Sequence, residues 1–259
     1  MTQIIISDVC KRFSNGFEAL KGVSAEIQPG SFTVILGPSG AGKSTLLRAM
    51  NGLEMPTSGT VRVGNEVITV NNLRDIRSHV GMVFQQFNLV DRLSVMTNVL
   101  IGRLSHRSWL FSLLYLFRRV DLDIAHEALI RVGLTDKAWN RADKLSGGQQ
   151  QRVGIARALA QQPRVILADE PVASLDPVTS EEIMGLLREI CTHDGITVVV
   201  NLHQVDLAKR FADRVIGLND GLVVYDGPVS GLNRETLTRI YKRNGDEIDE
   251  QLETMLAYA

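Results

Sequence analysis

Residues 37–45, Gly37-Pro38-Ser39-Gly40-Ala41-Gly42-Lys43-Ser44-Thr45, have the spacing G-x-x-x-x-G-K-[ST], and each position has a chemical reason. The glycines let successive backbone N–H groups turn inward around phosphate oxygens, and a helix that follows directs its positive end at the same charge. An amine at Lys43 reaches the β- and γ-phosphates, while the Ser44 hydroxyl, with Thr45 beside it, is placed to coordinate Mg²⁺. A second group complements the first. Val165-Ile166-Leu167-Ala168 is an apolar run that ends in two carboxylates, Asp169 and Glu170. Asp169 would hold Mg²⁺ through water and Glu170 would polarise an attacking water, the two acidic roles that phosphoryl transfer to water requires.

The elements that must position these groups are legible around them. Phe32 to Leu36 is a continuous apolar run leading into the glycines, and Ser44 to Asn51 has a helical pattern, so the loop joins a buried strand to a helix. Val80 to Phe84, Val165 to Ala168 and Ile196 to Val200 read as further strands, with a helix around Glu181 to Ile190 between the last two. Strand, helix, strand with burial on both faces predicts a parallel sheet, and ligands of such sheets bind at the carboxyl ends of the strands. Ile4 to Ile6, Phe17 to Ile27 and Thr60 to Val63, the last closing at Gly64-Asn65, predict an antiparallel edge sheet. Val215 to Leu218 and Leu222 to Tyr225 predict a hairpin around Asn219-Asp220-Gly221. Arg92 to about Gly133 turns helical.

Composition bounds the rest. A chain of 259 residues that is 44% apolar buries a sizeable core without cross-links. Its 28 basic residues against 29 acidic ones leave no global field for nucleic acid. Cys10 and Cys191 match neither a zinc spacing nor a redox pair, which fits a reducing compartment. The N-terminal residues lack the pattern of a secretory signal, and no apolar run approaches the ~20 residues needed to cross a bilayer. From Asp246 to Glu253 the chain is strongly acidic and is expected to be a solvated tail.

Leu145-Ser146-Gly147-Gly148-Gln149, standing before Gln150-Gln151-Arg152 and ahead of Asp169, resembles the signature of the ATP-binding subunits of ABC transporters. The Ser146 hydroxyl can donate, and Gly147 and Gly148 permit close approach at the positive end of a helix. The resemblance spans residues 4 to 240 and implies an α/β P-loop NTPase fold of the ABC ATPase type, with a mostly parallel core sheet, an antiparallel N-terminal β-subdomain and a helical signature subdomain at about 88–160. It implies ATP and Mg²⁺ as cofactors, sandwiched in a head-to-tail homodimer where Ser146 to Gln149 of one copy face the phosphates held by the other. It further implies that Gln85 senses Mg²⁺ and the γ-phosphate, that Phe13 stacks on adenine, that Asp176 crosses the dimer interface, and that His203 contacts the γ-phosphate. Phe13 stands where tyrosine is commoner, and Asn201-Leu202 precede His203 where small polar residues are common. His79, His106, His126 and His193 have no comparable placement.

Residues 85–95, the helical insert, Ala168 to Pro177 and Asn201 to Asp206 together look like the ATPase of bacterial phosphonate importers. Polar-amino-acid and methionine importers share much of the first stretch, and soluble ABC-type ATPases share every catalytic residue. The importer reading implies integral membrane permease subunits as partners, a periplasmic substrate-binding protein reached indirectly, and a peripheral position on the cytoplasmic face of the inner membrane. Trp109, Phe111, Tyr115 and Phe117, flanked by Arg103, Arg107, Arg118 and Arg119, are expected to be either the core of the helical layer or a seat for a partner's helix.

Overall fold

The computed structural model describes residues 2–106 and 117–242. The apolar runs become strands in which every residue is buried: β3 (Phe32–Leu36), β7 (Val165–Asp169) and β8 (Thr197–Asn201). Strands covered on both faces need no polar alternation, which is why they read as unbroken hydrophobic sequence. With β6 (Val80–Val83), β9 (Arg214–Asn219) and β10 (Leu222–Pro228) they form a six-stranded sheet in the order β10-β9-β3-β8-β7-β6. It is parallel except for the β9–β10 hairpin. That hairpin turns through Asp220 and Gly221 at φ of 46° and 76°, the doubly positive backbone that suits the strand twist.

A second, four-stranded sheet is wholly antiparallel, in the order β2-β1-β4-β5, from β1 (Ile4–Arg12), β2 (Glu18–Ile27), β4 (Ser58–Val63) and β5 (Glu66–Val67). Between the two sheets lies α1 (Lys43–Ala49).

Side-chain alternation along the buried strands splits the core into two layers. Ile35, Leu167, Val199 and Ile216 pack toward α1 and the antiparallel sheet, together with Ile76 of α2 (Leu73–His79). Val34, Ile166, Val200 and Val215 pack the other way. There they meet α3 (Val95–Leu100), α4 (Arg119–Arg131), α5 (Gly147–Ala160), α6 (Pro177–Asp194), α7 (Val205–Phe211) and α8 (Arg234–Tyr241). Helices α3, α4 and α5 also pack on one another. Arg103, buried between them, donates to Asp121 Oδ1 at 3.1 Å, Ala160 O at 2.9 Å and Gln162 Oε1 at 3.0 Å. Removing one partner of such a buried pair typically costs about 3–5 kcal/mol.

Of the residues expected at a docking patch, Phe117 is half-buried against the core. Arg107, Trp109, Phe111 and Tyr115 lie outside the described residues, as does the acidic stretch from Asp246 to Glu253. Both cysteines are free thiols, and no helix among the described residues is long and apolar enough to cross a membrane.

Candidate active site

The loop between β3 and α1 can form only with glycine at two of its positions. Gly37 holds φ +155°, and a Cβ there would lie 2.2 Å from Leu218 O; Gly42 holds φ +100°, and its Cβ would lie 2.4 Å from Ala19 O. The loop therefore nests against β9 and β2. Lys43, almost wholly buried, donates from Nζ to Gly37 O at 2.8 Å and Pro38 O at 3.1 Å. Burial holds its pKa below the ordinary lysine range, an effect that the nearby charges of Glu170 and Asp169 only partly offset.

Opposite the loop, strand alternation places Asp169 on the same side as Leu167, and Asn201 on the same side as Val199, both toward α1. The two are register partners across β7 and β8. Asp169 Oδ1 accepts from Ser44 Oγ at 2.7 Å and from Asn201 Nδ2 at 2.9 Å, while Oδ2 faces Arg48 Nη2 at 3.3 Å. A carboxylate with 4% exposure thus has three donors, which offsets the cost of burying its charge. A hydroxyl and a carboxylate meeting at this distance form a pair of oxygen donors of the kind Mg²⁺ uses beside substrate phosphates.

Glu170 follows with φ +50°, a left-handed conformation costing a non-glycine residue roughly 1–2 kcal/mol. This ends the extended run and turns its carboxylate to His203, whose Nε2 lies 2.7 Å from Glu170 Oε1. An ionised carboxylate only accepts, so Nε2 carries the proton in this pair. Behind the histidine, the Tyr241 hydroxyl of α8 donates to His203 O at 3.3 Å and also meets the Gly37 backbone. Burial pushes this phenol's pKa up.

A cavity of about 210 Å³ opens over these groups, lined by Ser39, Gly40, Gly42, Lys43, Ser44, Thr45 and Glu170, with Phe17 and Ala19 at its side. A larger cleft of about 1150 Å³ continues from Phe17, Pro38 and Gly40 toward Asn219 and Arg239. Phe13 lines neither. Its ring stacks on Phe17 with centroids 6.5 Å apart and lies under Lys11 Nζ at 5.2 Å. Phe17, 54% exposed, is the aromatic residue presented to the loop.

Other residues singled out in the sequence stand apart from this cavity. Gln85 is exposed on the turn after β6. Because Val83 pairs with Ala168, Gln85 and Glu170 leave the same edge of adjacent strands. Ser146 caps α5, accepting from Gln149 N at 3.4 Å while Gln149 Oε1 accepts from Ser146 N at 3.1 Å, a capping box. Asp176 caps α6, accepting from Thr179 N at 3.0 Å and Thr179 Oγ1 at 2.6 Å. The Thr179 hydroxyl bond holds its carboxyl below the usual aspartate range. These two helix starts touch: a Cβ on Gly147 would lie 3.4 Å from Leu175, and one on Gly148 2.4 Å from the Thr179 methyl.

Sequence reasoning missed Phe17, Arg48, Asn201 and Tyr241. Arg48 had a signal, since it lies one helical turn beyond Ser44. Asn201 had another, as the polar end of an otherwise apolar strand.

A phosphate-type loop at the carboxyl edge of a parallel sheet, covered by an antiparallel sheet on one side and by capped helices on the other, defines a P-loop NTPase of the ATP-binding-cassette type. The chain belongs to the ABC transporter family, which its residues 20–173 match. It is 72% identical over 259 residues, the whole of both chains, to the phosphonates import ATP-binding protein PhnC of Thiobacillus denitrificans. It is 55% identical over 230 residues to the phosphite import ATP-binding protein PxtA of Stutzerimonas stutzeri, covering 88% of this chain and 83% of that protein. Among solved structures, the dimeric post-hydrolysis state of the ATP-binding cassette MJ0796 bound to ADP and Pi superposes with a TM-score of 0.77 at 38% identity, covering 88% of this chain and all of that one.

Proposed function

We propose that this chain is the ATP-hydrolysing subunit of a phosphonate importer, acting as a homodimer on integral permease subunits at the cytoplasmic face of the inner membrane, with a periplasmic binding protein supplying cargo. The full-length 72% identity to a relative of that name carries the cargo assignment, and the site supports the chemistry. Lys43 exchanges its loop carbonyls for phosphate oxygens, and the backbone N–H groups of residues 37–45 cradle the same anion. Ser44 and, through water, Asp169 would hold Mg²⁺, which would supply charge neutralisation for the phosphates. Glu170 orients and polarises the attacking water, His203 fixes Glu170 and faces the γ-phosphate, and Gln85 reports on both from the neighbouring strand end. Ser146, Gly147, Gly148 and Gln149 of one copy complete the site of the other, and Asp176 crosses between them. Phe13 and Phe17 form the aromatic surface for adenine.

The test is Glu170→Gln. Turnover should fall about 10³-fold with ATP affinity within about twofold of wild type, and light scattering should show a dimer with MgATP. Turnover at the wild-type rate would remove Glu170 from its role, and a strictly monomeric variant would remove the head-to-tail site. The 55% identity to a phosphite import protein supports a second cargo. In vesicles reconstituted with permease and binding protein, ATPase stimulation by an alkylphosphonate supports the first reading, and stimulation by phosphite alone supports the second.

A further inference from the structure

Asn201 carries more than the end of a strand. It is fully buried, its amide nitrogen is committed to Asp169 Oδ1 at 2.9 Å, and its carbonyl oxygen is one of four buried side-chain polar atoms among the described residues with no hydrogen-bond partner. A buried amide oxygen with no partner costs stability. The three residues before it in β8 are valines. The other donors on Asp169 are less secure. Ser44 Oγ donates to the same oxygen at 2.7 Å, from a hydroxyl whose lone pairs also have to serve the cation. Arg48 lies at 3.3 Å with 46% of its side chain exposed.

We propose that Asn201 is a positioning residue for Mg²⁺: it holds Asp169 in place beside the Ser44 hydroxyl that meets the cation, and its free carbonyl oxygen accepts from a water in the cation's shell. The inference rests on the ATPase reading above and adds a residue to it. Each half of the amide then has a task, the nitrogen toward the carboxylate and the oxygen toward coordinated water, as outer-shell partners of metal ligands commonly do.

Two substitutions and a binding measurement test this. Asn201→Val keeps the shape but removes both polar groups, and Asn201→Thr restores a donor for Asp169 on a frame that suits a strand. ATP affinity is measured by calorimetry without metal and across a Mg²⁺ titration. Asn201→Val should bind ATP as wild type does without metal and require about tenfold more Mg²⁺. Asn201→Thr should recover most of the Mg²⁺ affinity. A valine variant with the wild-type Mg²⁺ dependence overturns the proposal. Should that variant not fold, the Asn201 side-chain NH₂ resonances of the wild-type protein decide. They should shift when Mg²⁺ is added to the ATP-bound protein, and unchanged resonances overturn the proposal. Wild-type protein that fails to hydrolyse ATP with Mg²⁺ present would instead overturn the ATPase reading itself.

Discussion

Lys43 and Asp169 are buried and held by two and three partners respectively, whereas the Ser146–Gln149 turn and Asp176 sit at helix starts near the surface and satisfy themselves. The first region is fixed by the sheet: register across β7 and β8 sets Asp169 beside Asn201, and packing of α1 brings Ser44 to Asp169. The second is fixed by local turns. A self-capped helix start keeps its shape alone, and Gly148 closes on Thr179 with no room for a side chain, so one region is held by contacts between distant segments and the other by its own turns.

Substitutions that act on one region and spare the other sharpen this contrast. Lys43→Ala should have the largest effect, weakening ATP binding by about 10- to 100-fold through loss of charge-assisted hydrogen bonds, with turnover falling alongside. Equal affinity in isothermal titration would contradict the phosphate-loop assignment. Ser146→Ala should leave ATP affinity of the monomer unchanged and lower turnover and MgATP-dependent dimerisation by about tenfold, while lost capping costs about 1 kcal/mol of stability. If monomer affinity dropped instead, the two regions would not be separable.

Smaller effects probe the aromatic surface and the second cap. Phe17→Ala should weaken ATP binding several-fold, at least as much as Phe13→Ala, because Phe17 is the ring beside the loop; the reverse order in fluorescent-nucleotide titrations would return adenine to Phe13. Asp176→Ala should lower the melting temperature slightly at neutral pH. Since the folded carboxyl's pKa is depressed by Thr179, its stabilisation is present above the unfolded value of about 3.9 and is lost as pH falls through the folded value. The gap in melting temperature between the two proteins should close over that acid window.

Much of the candidate site was legible in sequence because its strands are continuous apolar runs that end in polar residues. β3 delivers the glycine loop, β7 delivers Asp169 and Glu170, and β8 delivers His203. What stayed hidden depends on contacts between segments far apart in the chain. Nothing in Phe13 or Phe17 alone states that one ring stacks behind the other. The seven- and eight-residue helices α2, α7 and α8 are too short for a 3.6-residue period to stand out, so Tyr241 had no element to place it. Helix α6 begins at Pro177, several residues before the Glu181 expected from apolar spacing, because Asp176 and Pro177 start it as cap and first-turn residue.

The Tyr241 phenol sits at the last turn of α8, anchored where Ile240 closes on Gly217 and the Asn219 amide donates to the carbonyls of Arg239 and Lys242. Through that one oxygen the helix grips both the root of the glycine loop and the backbone of His203. Displacing α8 would therefore remove both contacts at once.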